Sequence, residues 1–229
     1  MSNTHEFIKQ LSSKLGRPTP TQTPPPVELS VPQFRLASVE ERTSIFLQNW
    51  EALGGKGAIV RSADEILQSL KEWFGDEPIS WLKNNPQALI AWDKLPPAAE
   101  SAFSSLDWPL TRYTQSAEDS RGRYFTAANA ELGITSSDWG IALSGTVVMP
   151  SGPQRGRAVS LLPPRHLAVI EAARIRNNLF EVLEEVSALG TPPAAVEMIS
   201  GPSRTSDIEM DLSIGVHGPI EVYVIVLDC

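Results

Sequence analysis

Cysteine is nearly absent from this chain: Cys229 is the single one in 229 residues. That excludes a disulfide within the chain. It also excludes an iron–sulfur cluster held by this chain alone, which takes about four thiolates, and a cysteine-rich zinc site. Histidine is scarce too. His5, His166 and His217 lie far apart, and the aspartates and glutamates show no ligand-like spacing, so no metal site is expected. The glycine signatures of nucleotide sites are missing. No G-x-G-x-x-G follows an apolar strand and no G-x-x-x-x-G-K-[ST] occurs, which removes the dinucleotide fingerprint and the P-loop. No G-x-S-x-G occurs either, which removes the nucleophile elbow. Basic residues are few, 19 against 27 acidic, for a net charge of -8. A surface of that sign repels nucleic acid and anionic membranes. The longest strongly apolar run, residues 222–227, is far too short to span a bilayer. Residues 1–6 show neither the positive n-region nor the apolar h-region of a secretory signal. A cytoplasmic location is therefore expected, with no membrane span.

What remains is a chain whose 41% hydrophobic residues suit one domain with an extension. The extension covers residues 1–33. His5 to Leu15 reads as a short helix with Phe7, Ile8, Leu11 and Leu15 near one face. Residues 18–32 follow, with six prolines and one charge, Glu28, as an extended linker. The domain proper covers residues 34–229. Two Ser-x-x-Glu capping boxes, Ser38–Glu41 and Ser62–Glu65, start helices. The first ends at Gly54-Gly55 and the second at Gly75. Residues 57–61 and 88–92 read as buried strands on either side of the second helix, and this order implies parallel pairing. Further along, residues 126–132 read as a helix and 133–138 as a turn. Residues 139–149 read as a strand broken at Ser144-Gly145-Thr146, with 158–162 as its antiparallel partner. Residues 166–170 read as a strand, 175–189 as the longest helix and 196–200 as a strand. A short helix is expected over 204–212. Residues 220–227 form a closing strand buried on both faces. The fold class is α/β: a doubly wound, largely parallel sheet with an antiparallel hairpin.

The chemistry concentrates in the last third. Residues 200–209 read SGPSRTSDIE and residues 215–219 read GVHGP. Glycine and proline flank the polar groups, so these sit on tight loops. Ser203, Arg204 and Thr205 after Gly201 supply hydroxyls and a guanidinium at an expected helix start, where free N–H groups attract anions. Asp207 or Glu209 can orient Arg204. His217, between glycines, can bind a ligand or move a proton. Gly145 and Thr146 interrupt an apolar strand and offer a close approach and a hydroxyl. The plainer alternatives stay open: Ser203 as a cap, Arg204 paired with Asp207 or Glu209, His217 bonded to a neighbouring loop, and Ser144–Thr146 as a kink. Arg155 and Arg157 read as a solvated hairpin tip.

Residues 130–135 (AELGIT), 144–146 (SGT) and 160–163 (SLLP) with His166, together with the two motifs above, resemble the LUD domain, and within it the lactate-utilisation protein C group. The likeness runs from about residue 40 to 227. The proline-rich leader lies outside it, and Ser206 stands where the family commonly has alanine. The resemblance implies a fold like that of sugar-phosphate isomerases and CoA transferases. It also implies an accessory subunit in the oxidation of L-lactate to pyruvate, beside partner subunits that carry iron–sulfur clusters. The residues fitting that role are Gly145, Thr146, Gly201, Ser203, Arg204, Thr205 and Asp207 around a small anionic ligand, with His217 and Glu209 as catalytic candidates. Two other roles remain open: an acyl-CoA transferase or isomerase using Glu131 or Glu209, and a ligand-free scaffold for cluster-bearing partners.

Overall fold

The computed structural model describes residues 2–16, 35–106, 108–206, 212–214 and 218–228. The chain divides into two compact units, Met1–Gln33 and Phe34–Cys229. In the first, α1 spans Ser2–Lys14.

The second unit opens with α2 (Val39–Ala52), whose capping box forms as the sequence predicts: the Ser38 hydroxyl accepts the Glu41 N–H at 3.1 Å and the Glu41 carboxylate accepts the Ser38 N–H. β1 (Lys56–Val60) follows. Next is α3 (Ala63–Phe74), capped by Ser62 and ended at Gly75. Then come α4 (Glu77–Asn84), β2 (Leu89–Ala91), α5 (Pro97–Ser105), β3 (Thr111–Arg112), α6 (Ser120–Ala128) and β4 (Leu132–Ser136). β5 (Trp139–Ile141) turns through Ala142–Ser144 into β6 (Thr146–Pro150), and α7 (Ala158–Leu161) leads to β7 (Arg165–Glu171). β8 (Ile175–Arg176), α8 (Leu179–Ser187), β9 (Val196–Ile199), β10 (Arg204–Ser206), β11 (Leu212–Ile214) and β12 (Glu221–Leu227) complete the order.

Six strands form one sheet in the order β1-β12-β7-β4-β2-β3, and every pair in it is parallel. A second sheet, β8-β5-β6-β9, mixes parallel and antiparallel pairs. The period-two alternation of β12 shows how the layers stack. Tyr223, Ile225 and Leu227 pack with Ile66, Leu70 and Phe74 of α3 and Phe103 of α5. Val222, Val224 and Val226 face the other way, onto Phe46 and Trp50 of α2 and Val147 and Met149 of β6. The parallel sheet is therefore covered on both faces, which is why its central strands are apolar throughout. Each large side chain buried there stabilises the fold by about 1.5–3 kcal/mol.

Several expectations are corrected. β1 and β2 share the sheet and run parallel, but they are not neighbours. Residues 132–136 are β4 and not a turn, and the helix expected over 126–132 is α6, which stops at Ala128. Gly133 breaks the apolar pattern of β4 for a packing reason: a Cβ there would lie 1.8 Å from the Val159 carbonyl oxygen of α7. Residues 158–161 are helical, so the partners of β6 are β5 and β9. Ile175 belongs to β8, and α8 begins only after Asn178, whose side chain accepts the Phe180 and Glu181 N–H groups. At 9 residues α8 is shorter than the 14 of α2.

Candidate functional site

A parallel sheet brings all its strand carboxyl ends to one edge, where ligands gather in open α/β folds. Here the ends of β2, β4 and β7 frame a cleft of about 210 Å³. Beyond β4 come Ser136, Ser137 and Asp138. β7 ends in Glu171 and turns through Ala172–Arg174. The segment after β2 adds Lys94, Leu95 and Pro96. Arg155 enters from the loop after β6. It pairs with Asp138 and sits 5.2 Å above the Trp92 ring, and Trp92 in turn donates to the Gly156 carbonyl at 3.1 Å. Arg155 is thus pinned over the cleft and is no solvated tip. Arg174 and Glu171 stand 3.8 Å apart and both are exposed. Three cations, Lys94, Arg155 and Arg174, oppose two carboxylates, Asp138 and Glu171, a local excess of positive charge on a chain of net charge -8.

Those residues singled out by sequence that the structure describes lie elsewhere. Gly145 adopts the left-handed conformation (φ 55°, ψ 48°) at the β5–β6 turn, and a Cβ there would lie 2.4 Å from the Trp50 backbone nitrogen. Thr146 Oγ1 lies 2.6 Å from Ser144 Oγ and 2.7 Å from Ser200 Oγ, so the three hydroxyls satisfy one another. Gly201 packs against Leu53. The Ser203 N–H donates to the Pro219 carbonyl at 2.9 Å, so the loops carrying the two late motifs do meet. The Arg204 guanidinium donates to the Leu53 carbonyl at 2.6 Å, where a cation complements the carbonyl end of α2. Leu53 precedes β1 and Pro219 precedes β12, which places this loop at the amino edge of the parallel sheet. The strand it follows, β9, belongs to the second sheet. Residues 204–206 form β10, antiparallel to β11, so the helix start expected at Ser203–Ser206 is a strand. Thr205 lies in β10; Asp207, Glu209 and His217 fall outside the described residues. Glu131, named for the transferase reading, is 3.3 Å from Arg165, ahead of β4 at the same amino edge.

Ser160 and His166 of the LUD-like motif meet a third region, between the two sheets. His166 is wholly buried on β7. Its Nε2 is 2.9 Å from Thr135 Oγ1, which also contacts Met149 Sδ at 3.1 Å. One hydroxyl proton serves one acceptor. With that proton on sulfur, His166 donates from Nε2 and leaves Nδ1, which has no partner among the described residues, as a bare acceptor. Burial pushes the imidazole pKa down to about 3. The Ser160 hydroxyl donates to Glu197 Oε2 at 2.9 Å, and Glu197 Oε1 is buried without a partner. Burial raises the Glu197 pKa above the usual carboxylate range, partly offset by that hydrogen bond and by Arg157.

Sequence reasoning missed Lys94, Ser136, Arg155, Glu171 and Arg174. The available signal was the ending of apolar runs in Ser-Ser-Asp and Glu-Ala-Ala-Arg, polar groups at the mouths of buried parallel strands. No described helix is long and apolar enough to cross a membrane.

A parallel sheet covered on both faces, with a polar cleft at its carboxyl edge, defines an open α/β protein. The LUD domain model matches residues 44–227, and the chain belongs to that family. It is similar over its whole length to lactate utilization protein C of Shouchella clausii, at 31% identity over 238 residues, covering 100% of this chain and 99% of the relative. Lactate utilization protein C 1 of Bacillus mycoides is 32% identical over 234 residues, covering 100% and 98%. The crystal structure of a DUF162 family protein from Deinococcus radiodurans shares the fold, with a TM-score of 0.59 and 20% identity, covering 84% of this chain and 99% of that one.

Proposed function

We propose that this protein serves lactate utilisation by binding a small carboxylate in the cleft at the carboxyl edge of the six-stranded sheet. It acts as an accessory subunit beside partners that carry the iron–sulfur clusters, since one cysteine cannot supply a cluster's ligands. The observation that carries the site is the gathering in one cleft of Lys94 from beyond β2, Arg174 from beyond β7 and Arg155 from the loop after β6. The full-length similarity to lactate utilization protein C supports the pathway. In this reading the guanidinium groups take the carboxylate, the Ser136 hydroxyl bonds the substrate's own hydroxyl or carbonyl oxygen, and the Glu171 carboxylate accepts a hydrogen bond from the substrate hydroxyl.

The convergence of the Ser203 and Pro219 loops favours a second placement of the anion, beside Gly145, Thr146, Gly201, Ser203, Arg204, Thr205 and Asp207, with His217 and Glu209 as the chemical groups. Calorimetric titration of the full chain with L-lactate and pyruvate separates the two. A lost charged hydrogen bond of about 1.5–3 kcal/mol weakens binding roughly 10- to 150-fold. Under the first reading Arg174→Met shows that loss and Arg204→Ala does not. The reverse pattern moves the anion to the amino-edge loop, and no binding by the wild type refutes both placements.

A further inference from the structure

The cleft has a neighbour. A second hollow of about 410 Å³ lies along the same edge, walled by Val39, Pro97, Ala98, Ala172, Ala173 and Leu227. Pro96 and Glu171 line both hollows, so the two adjoin across the end of β7. Their linings differ in kind. The first presents three cations, two carboxylates and two hydroxyls. The second is walled by short apolar side chains, and its two charges are both negative, Glu171 and Asp228. Asp228 is already paired with Arg61 at 3.1 Å. Alone, the first hollow is smaller than the roughly 300–1,000 Å³ of ordinary ligand sites, and the two together fall within that range. Its apolar walls are fixed. Pro96 and Pro97 start α5 with restricted backbones, and Leu227 and Ala172 are held in the core. The room exists because the lining residues of the β7 turn and of α5 are alanines, which leave space where longer side chains would fill it.

We infer that the ligand of this cleft is an amphiphilic monoanion: a carboxylate held by Lys94, Arg155 and Arg174, with an apolar chain running past Glu171 into the second hollow. This rests on the anion site proposed above and names the class of molecule that site takes. The second hollow offers a far-end carboxylate no cation among its lining residues, so burying that charge there is uncompensated; a monocarboxylic acid is accepted and the dicarboxylic acid of equal length is rejected. A three-carbon hydroxy acid occupies the first hollow only. The second serves a larger acid, either a further substrate or an effector that competes with the small one.

The experiment titrates the full chain with butyrate, hexanoate, octanoate and adipate, by calorimetry at constant ionic strength. Burying a methylene contributes ~0.8 kcal/mol, so the expected affinity rises about fourfold per methylene along the monoacid series. Adipate binds more weakly than hexanoate. Ala173→Trp and, independently, Ala98→Trp fill the second hollow from exposed and half-buried positions and flatten the series. Arg174→Met weakens every member by a similar factor. A wild type that binds butyrate with no gain from chain length overturns the amphiphilic ligand and leaves the anion site standing. A rise that survives both tryptophan variants overturns it too, because the chain is then held elsewhere. Failure to bind any carboxylate overturns the anion site itself.

Discussion

The buried imidazole of His166 makes the stability of this protein depend on pH in a calculable way. In the folded chain its pKa is pushed down to about 3 by burial; in the unfolded chain it returns to about 6.5. Between these values the unfolded state binds a proton that the folded state refuses. Stability contributed by the neutral buried form is therefore complete above pH ~6.5 and is lost as pH falls toward 3. At pH 4.5 the unfolded imidazole is about 99% protonated. The linkage relation gives a loss of about 2 kcal/mol between pH 6.5 and 4.5, a sizeable share of a typical 5–15 kcal/mol stability. Other groups titrate in the same window, so the measurement is a difference. His166→Gln keeps a donor or acceptor within reach of Thr135 Oγ1 and removes the titration. Urea unfolding of both proteins from pH 4.5 to 7.5 should show wild type losing about 2–3 kcal/mol more than the variant at the acid end. A gap that does not change with pH refutes the reasoning. So does an imidazole C2 proton signal from His166 that titrates near pH 6.5 in the folded protein.

Other predictions follow from the same geometry. Gly145→Ala places a Cβ against the Trp50 backbone in a left-handed conformation, and thermal or urea unfolding should show a loss of about 2 kcal/mol or more. Arg204→Ala removes the cation from the carbonyl end of α2 and should cost about 0.3–1 kcal/mol of stability, read as a small shift in urea midpoint. Glu197 has its pKa raised by burial, so its folded form holds a proton more tightly and stability is lost as pH rises through that value. Glu197→Gln should therefore be more stable than wild type at neutral pH, with the advantage vanishing in acid, as equilibrium unfolding at both pH values can test.

The elements legible in the sequence are those with local causes. Both serine caps are satisfied within four residues, the first as a reciprocal box and the second with the Glu65 carboxylate turned to the Arg61 N–H instead, and the helices they start lie where expected. β12 is legible because a strand buried on both faces must be apolar at every position. The elements misread have distant causes. Gly133, Thr135 and Ser136 look like turn residues, yet Gly133 is there because the Val159 carbonyl crosses it and Thr135 because His166 faces it. The apolar run 158–161 is too short for periodicity to separate helix from strand. Hydroxyls and acids after Arg204 imitate a helix start, while the pairing of residues 204–206 with 212–214 makes a hairpin. The carboxyl-edge cleft is only faintly legible, in apolar runs that end in Ser-Ser-Asp and Glu-Ala-Ala-Arg. Its residues come from three strand ends and one loop, with no motif in common, and only the order of strands in the sheet assembles them.

That strand order also bears on how the chain is made. β1, complete at Val60, sits at an edge and pairs only with β12, which begins at Glu221. Translation at roughly 5–20 residues per second puts on the order of ten seconds or more between the two. During that interval α2 and α3 can form from their own caps, but the strand between them has no neighbour in the sheet and its open edge invites mispairing. The nascent protein must wait, shielded or loosely collapsed, for a late segment to enter the middle of the sheet.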